Sequence, residues 1–249
     1  MLAMRPMEGY TTLGRETFLA KVVWENGWPV VNPGIGRLTD EVEVALEEWK
    51  PGKSVTESRR VYPFGEMEEL GFEFVYLRNP DPEKYRLCPG QGLKLQYDTH
   101  TLMEEASPTY VGIRQQHHYF QADAVVLADS IWENQETGIV LLQSNAYYLR
   151  SALTENAGGE ILLRIYLCEN LEEKRIVEKV LTDVRNEIRL SLEVNGLTAG
   201  MKVICGAAET DVAQGIDIRS LTTEAAGGFV GCTVGLYAVS KIQTQKAAV

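Results

Sequence analysis

Gly227-Gly228-Phe229-Val230-Gly231-Cys232-Thr233-Val234-Gly235-Leu236-Tyr237-Ala238 reads as a glycine-punctuated apolar strand, and it sets the class of the whole chain. A helix would lose about 1 kcal/mol at each interior glycine, so the extended reading is preferred. Upstream, strand-like runs recur at short intervals: 72–77, 92–97, 110–112, 115–128, 138–143, 146–153, 161–168, 174–181, 188–194, 201–207 and 228–240. Asn79-Pro80-Asp81-Pro82, Asn156-Ala157-Gly158-Gly159 and Asn195-Gly196 supply turns between them. Many short strands without long interleaved helices predict an all-β antiparallel sandwich.

The first quarter is organised differently. Arg15 to Glu25 alternates apolar and polar residues, and Asn26-Gly27 predicts a turn into a second short strand at 29–32. Val42, Leu46 and Trp49 share one helical face, so 40–49 is the best helical stretch, ended by Lys50-Pro51-Gly52. From there to about Gly71 the polar, glutamate-rich sequence reads as a connector. The expected division is an N-terminal segment 1–37, a linker 38–71 and a sandwich 72–249.

The chain has 249 residues, 45% of them hydrophobic, and 22 glycines, enough for a large single core and many turns. A net charge of −11 with no run of Lys and Arg argues against nucleic acid and anionic membrane surfaces. Neutral partners such as glycans stay open. Cys88, Cys168, Cys205 and Cys232 lie far apart without a C-x-x-C pair, and are expected as buried free thiols. With no leader-like start and no apolar run near the roughly 20 residues of a membrane span, the expected location is cytoplasmic.

Several stretches together resemble the C-terminal concanavalin-A-like jelly-roll sandwich of glycoside hydrolase family 43, the β-xylosidases and α-L-arabinofuranosidases. Leu13-Gly14-Arg15-Glu16-Thr17-Phe18 and Gly27-Trp28-Pro29 look like the last strands of that family's five-bladed catalytic propeller. Phe74 to Pro80, Gly92 to Leu95, Val111 to His117 and Gly227 to Ala238 follow in the order the sandwich carries them. The resemblance implies an inverting mechanism, which needs a proton-donating carboxylic acid and a separate carboxylate to activate water. In the family these sit on propeller blades upstream, and no acid of this chain aligns with them. Glu16, inside a propeller-like strand, is expected to make a structural salt bridge.

No catalytic residue is therefore expected. Tyr110, Arg114, Gln116 and His117 are candidates for contacting substrate or a propeller. If 114–120 were one strand, Arg114, Gln116, His118 and Phe120 would share a face opposite Gln115, His117 and Tyr119. The adjacent histidines would then diverge and could not grip one metal, so no metal site is expected. The resemblance implies an aromatic residue reaching into the sugar pocket from the loop before this strand; here Ala106 stands near that place, with Tyr110 a weak substitute. Trp132, Tyr147 and Tyr148, close to Asn134, Gln143 and Asn145, are candidates for a glycan-stacking platform, although ordinary packing would also place them. Asp98, Asp211 and Asp217 are weak candidates for a structural calcium, without the spacing of a dedicated loop; no other cofactor is expected.

The preferred function is a non-catalytic accessory sandwich of a family 43-like hydrolase acting on xylan- or arabinan-derived sugars, inactive alone. Its expected partners are an oligosaccharide or a catalytic propeller domain. The alternatives are a free-standing carbohydrate-binding module and an oligomerisation or scaffold domain. In the last case exposed strands at 13–32 would favour a homo-oligomer.

Overall fold

Seventeen strands order residues 2–39, 41–43 and 59–241, the residues described by this computed structural model. They are β1 (Leu2–Met4), β2 (Arg15–Thr17), β3 (Val22–Glu25), β4 (Trp28–Val31), β5 (Phe74–Tyr76), β6 (Tyr85–Cys88), β7 (Gly92–Leu95), β8 (Thr109–Arg114) and β9 (Tyr119–Leu127). There follow β10 (Gln135–Ser144), β11 (Tyr147–Glu155), β12 (Ile161–Glu169), β13 (Glu172–Val180), β14 (Glu187–Asn195), β15 (Thr198–Cys205), β16 (Ala208–Asp217) and β17 (Thr233–Ser240). One short helix, α1 (Thr223–Ala226), precedes the last strand.

A seven-stranded sheet in the order β13-β12-β11-β10-β17-β8-β5 packs on a four-stranded sheet in the order β16-β15-β14-β9. The chain changes sheet after β8, after β9, after β13 and after β16, so β17 closes the seven-stranded sheet between β10 and β8. This is the expected concanavalin-A-like sandwich. Ile139, Leu141, Leu149, Leu153, Leu163 and Ile165 from one sheet meet Ile188, Leu190, Leu192, Met201 and Val203 from the other. Two-residue alternation puts these side chains inward on every strand.

The central strands of the seven-stranded sheet are buried on their other face too, which explains why β10 and β11 read as continuous apolar runs. Residues 98–108 cross that outer face and drop Leu102 onto Tyr110, Val140, Leu142, Tyr148, Tyr237 and Val239. The glycines of β8 and β17 create the space. Gly112 and Gly235 are register partners, and a Cβ on Gly235 would lie 2.5 Å from the Tyr110 ring. The Tyr110 hydroxyl then meets Thr233 Oγ1 at 2.5 Å.

Three features depart from expectation. The single strand expected over 115–128 is broken, because β8 ends at Arg114 in one sheet and β9 begins at Tyr119 in the other. Residues 115–118 are the crossover, so period-two alternation does not run through them. Strands β1, β6 and β16 were not anticipated; β16 reads Ala-Glu-Thr-Asp-Val-Ala-Gln-Gly-Ile-Asp and sits at a sheet edge with one face in water. The helix anticipated at 40–49 falls almost wholly outside the described residues. No described helix is long and apolar enough to cross a membrane.

Candidate functional site

The N-terminal strands meet the sandwich at the end where β17 begins, and two glycines make the joint. Gly14 bridges Val230, and Arg15 N–H donates to the Phe229 carbonyl at 3.1 Å. A Cβ on Gly14 would collide with the backbone of Val230 and Gly231, and one on Gly231 would lie 2.5 Å from the Leu13 carbonyl oxygen. Gly14 also holds φ +69°, a region L side chains rarely adopt. The two motifs that first stood out in the sequence are thus halves of one backbone contact. Around it, Thr11 donates N–H and Oγ1–H to the Glu224 carboxylate at 2.6 and 2.7 Å. The Arg15 guanidinium lies 5.0 Å over the Phe229 ring.

The 115–118 crossover lines the same joint. Thr12 Oγ1 and His118 Nδ1 are 2.9 Å apart, Gln115 N–H donates to the Cys232 carbonyl at 2.9 Å, and Gly196 N–H donates to the His118 carbonyl at 2.9 Å. Burial, seconded by the Arg5 and His117 charges, lowers the His118 pKa, so the ring stays neutral and serves as a hydrogen-bonding bolt. Glu16 accepts from Arg5 at 2.9 Å, the structural pair expected of it.

Of the contact candidates, Arg114, Gln116 and His117 stand exposed beside this joint. Tyr110 does not: it is 1% exposed, and its ring fills the space over Gly112 and Gly235. The platform candidates are also separated. Trp132 is 60% exposed, but its neighbour Glu133 bridges Glu155 at one end of β11, while Tyr147 opens that strand about 26 Å away at about 3.3 Å per residue. Tyr148 is buried, its hydroxyl donating to Glu173 at 2.8 Å. The trio forms no common surface.

Tyr148 instead belongs to a polar network that sequence reasoning missed. Arg150, buried on the outer face of the seven-stranded sheet, donates to Glu173 at 2.6 and 2.7 Å, to Glu136 at 2.9 Å and to the Tyr237 hydroxyl at 2.8 Å. Its guanidinium lies 4.2 Å over the Tyr166 ring. Lys241 closes on the other Glu136 oxygen at 2.6 Å. Burial alone would raise the Glu136 carboxyl, but Arg150 and Lys241 outweigh it and hold the group below the ordinary carboxylate range. The one warning in the sequence is an arginine inside the run Tyr-Leu-Arg-Ser-Ala-Leu, whose other members are all fit for burial.

Metal-binding geometry is weak. Asp98 is engaged by Lys84 and His100, Asp211 by Gln214, and Asp217 by Arg219. Among the described residues no three of His, Cys, Asp or Glu gather as a metal would require. All four cysteines carry free thiols, and Cys168, Cys205 and Cys232 are buried. Burial pushes the Cys232 thiol up to about 12, which leaves it unreactive.

Residues 63–249 match the family described as the β-xylosidase C-terminal concanavalin A-like domain. The chain belongs to that family. This concanavalin A-like domain is 36% identical over 245 residues to a xylosidase/arabinosidase of Butyrivibrio fibrisolvens, covering 98% of the chain and 46% of that relative. It is 28% identical over 250 residues to a non-reducing end α-L-arabinofuranosidase of Bacteroides ovatus, covering 95% of the chain and 44% of the relative. The solved structure of Bacteroides ovatus xyloglucan PUL GH43B superposes with a TM-score of 0.80 at 26% identity, over 97% of this chain and 47% of that one. The chain thus spans about half the length of the relatives it matches, and its likeness to them includes the N-terminal strands as well as the sandwich.

Proposed function

We propose that this concanavalin A-like domain is the non-catalytic accessory sandwich of a family 43 glycoside hydrolase acting on xylan- or arabinan-derived sugars, and that hydrolysis requires the carboxylates of a catalytic propeller. The observation that carries this reading is the joint at Gly14 and Gly231. It fastens strands resembling a propeller's last blade to the sandwich, while Trp24 and Trp28 on β3 and β4 stay 73% and 75% exposed. Leu2, Leu19 and Val22 add to this apolar surface, which a propeller's preceding strands would cover. Arg114, Gln116 and His117 then contact the propeller or the sugar in its pocket.

The test is hydrolysis of aryl β-xyloside and aryl α-L-arabinofuranoside by the purified chain, alone and mixed with the propeller portion of a relative. The expected result is no turnover alone. Turnover by the chain alone, abolished by replacing one of its own acids, would overturn the proposal.

A further inference from the structure

The outer face of the four-stranded sheet carries a cleft that the joint does not use. It holds about 380 Å³ and is lined by Arg185, Asn186, Glu187, Arg189, Ile204 and Gly206. That volume falls in the lower part of the range of small-molecule sites, about 300–1,000 Å³. On β14 the cleft lies at the Glu187 end. The N-terminal segment touches the other end, where Met7 approaches Gly196 and Tyr119.

The cleft joins two kinds of surface. In register, Val125, Arg189 and Ile204 lie side by side, with Leu127 opposite Glu187; Val125 and Leu127 are 50% and 47% exposed. Arg189 is thus flanked by Ile204 on one side and Val125 on the other. Two cations line the cleft. Arg185 and Arg189 form no ion pair with a described residue, although the chain is strongly acidic. Glu209, register partner of Ile204, would be the natural partner for Arg189, but Lys202 takes its carboxylate at 3.3 Å. Asp123, diagonal to Arg189, accepts from Gln121 instead.

We infer that this cleft binds a carboxylated sugar, a hexuronate residue of a glycan. The guanidinium forks of Arg185 and Arg189 take the carboxylate, since planar bidentate pairing is what arginine offers and lysine does not. Ile204 and the bare backbone of Gly206 receive the C–H face of the ring. Asn186 and Glu187 take hydroxyls, and Glu187, by adding a negative charge, disfavours small dianions such as sulfate or phosphate. The choice of a sugar as ligand rests on the proposed function; the choice of a carboxylate rests on the two arginines.

Calorimetric titration of the whole chain with a glucuronate-bearing xylo-oligosaccharide, its neutral counterpart, free glucuronate and sodium acetate tests this. The expected result is binding of the first, with the neutral oligosaccharide roughly tenfold or more weaker, and a similar loss in the Arg185→Gln/Arg189→Gln variant. Both arginines are exposed, so an unchanged thermal transition will verify that the variant folds. Absence of heat with glucuronate-bearing sugars, or binding that the double variant retains, overturns the inference. Acetate binding as tight as glucuronate also overturns it, by marking a general anion site. Hydrolytic activity of the chain alone would defeat the proposed function without touching this result.

Discussion

At the residue scale, single atoms decide whether the interior closes. Gly235→Ala places a methyl group against the Tyr110 ring, and overpacking of this kind costs about 1–3 kcal/mol. We expect a lower melting temperature, and a smaller loss when Tyr110→Leu is added, because the two changes share one space. Arg150→Met leaves Glu136 and Glu173 without their central cation, and breaking a buried pair costs about 3–5 kcal/mol. Urea unfolding should show that loss, with partial recovery on adding Glu136→Gln. His118 gives a pH signature: its folded pKa lies below the unfolded value of 6.5, so the unfolded chain binds the extra proton. The stability it contributes is whole above that value and is lost as pH falls through it toward the folded pKa. Thermal melts from pH 7.5 to 5.5 should therefore drop more steeply for the wild type than for His118→Gln.

At the scale of elements, most strands are legible because turn residues bound either continuous apolar runs, as in β10 and β11, or apolar alternation, as in β14. The readings that failed did so where the physics leaves no local trace. The change of sheet at 115–118 is invisible because Gln115 to His118 continue a polar pattern that a strand would also tolerate. Strand β16 was hidden by its acids and glycine, which an edge strand accepts on its wet face. Tyr147 and Tyr148 are close to Trp132 in sequence, yet the rise of an extended strand carries neighbours in sequence to opposite ends of a sheet. The candidate joint is partly legible, since both glycine motifs stand out in the sequence, but only the fold shows that they touch. Gly14→Ala should unfasten this joint while sparing the sandwich. Limited proteolysis should then cut within 2–37 faster than in the wild type, with the core fragment from about residue 60 onward equally resistant in both.

At the scale of the molecule, the apolar faces of β3 and β4 govern behaviour in solution. A chain carrying Trp24, Trp28, Leu19 and Val22 in water is expected to associate as its concentration rises. Sedimentation should show the average mass climbing in the wild type and much less in Trp24→Ser. Addition of a propeller portion should suppress the same association, which distinguishes a surface awaiting its blade from a self-complementary dimer face.

The clasp between Leu13-Gly14 and Val230-Gly231 has a consequence for the order of assembly. A ribosome makes the first of these segments more than two hundred residues before the second, an interval of roughly 10–40 s at about 5–20 residues per second. Throughout it the strand at Arg15–Thr17 has no partner for its glycine contact, so the joint is one of the last features of the fold to form.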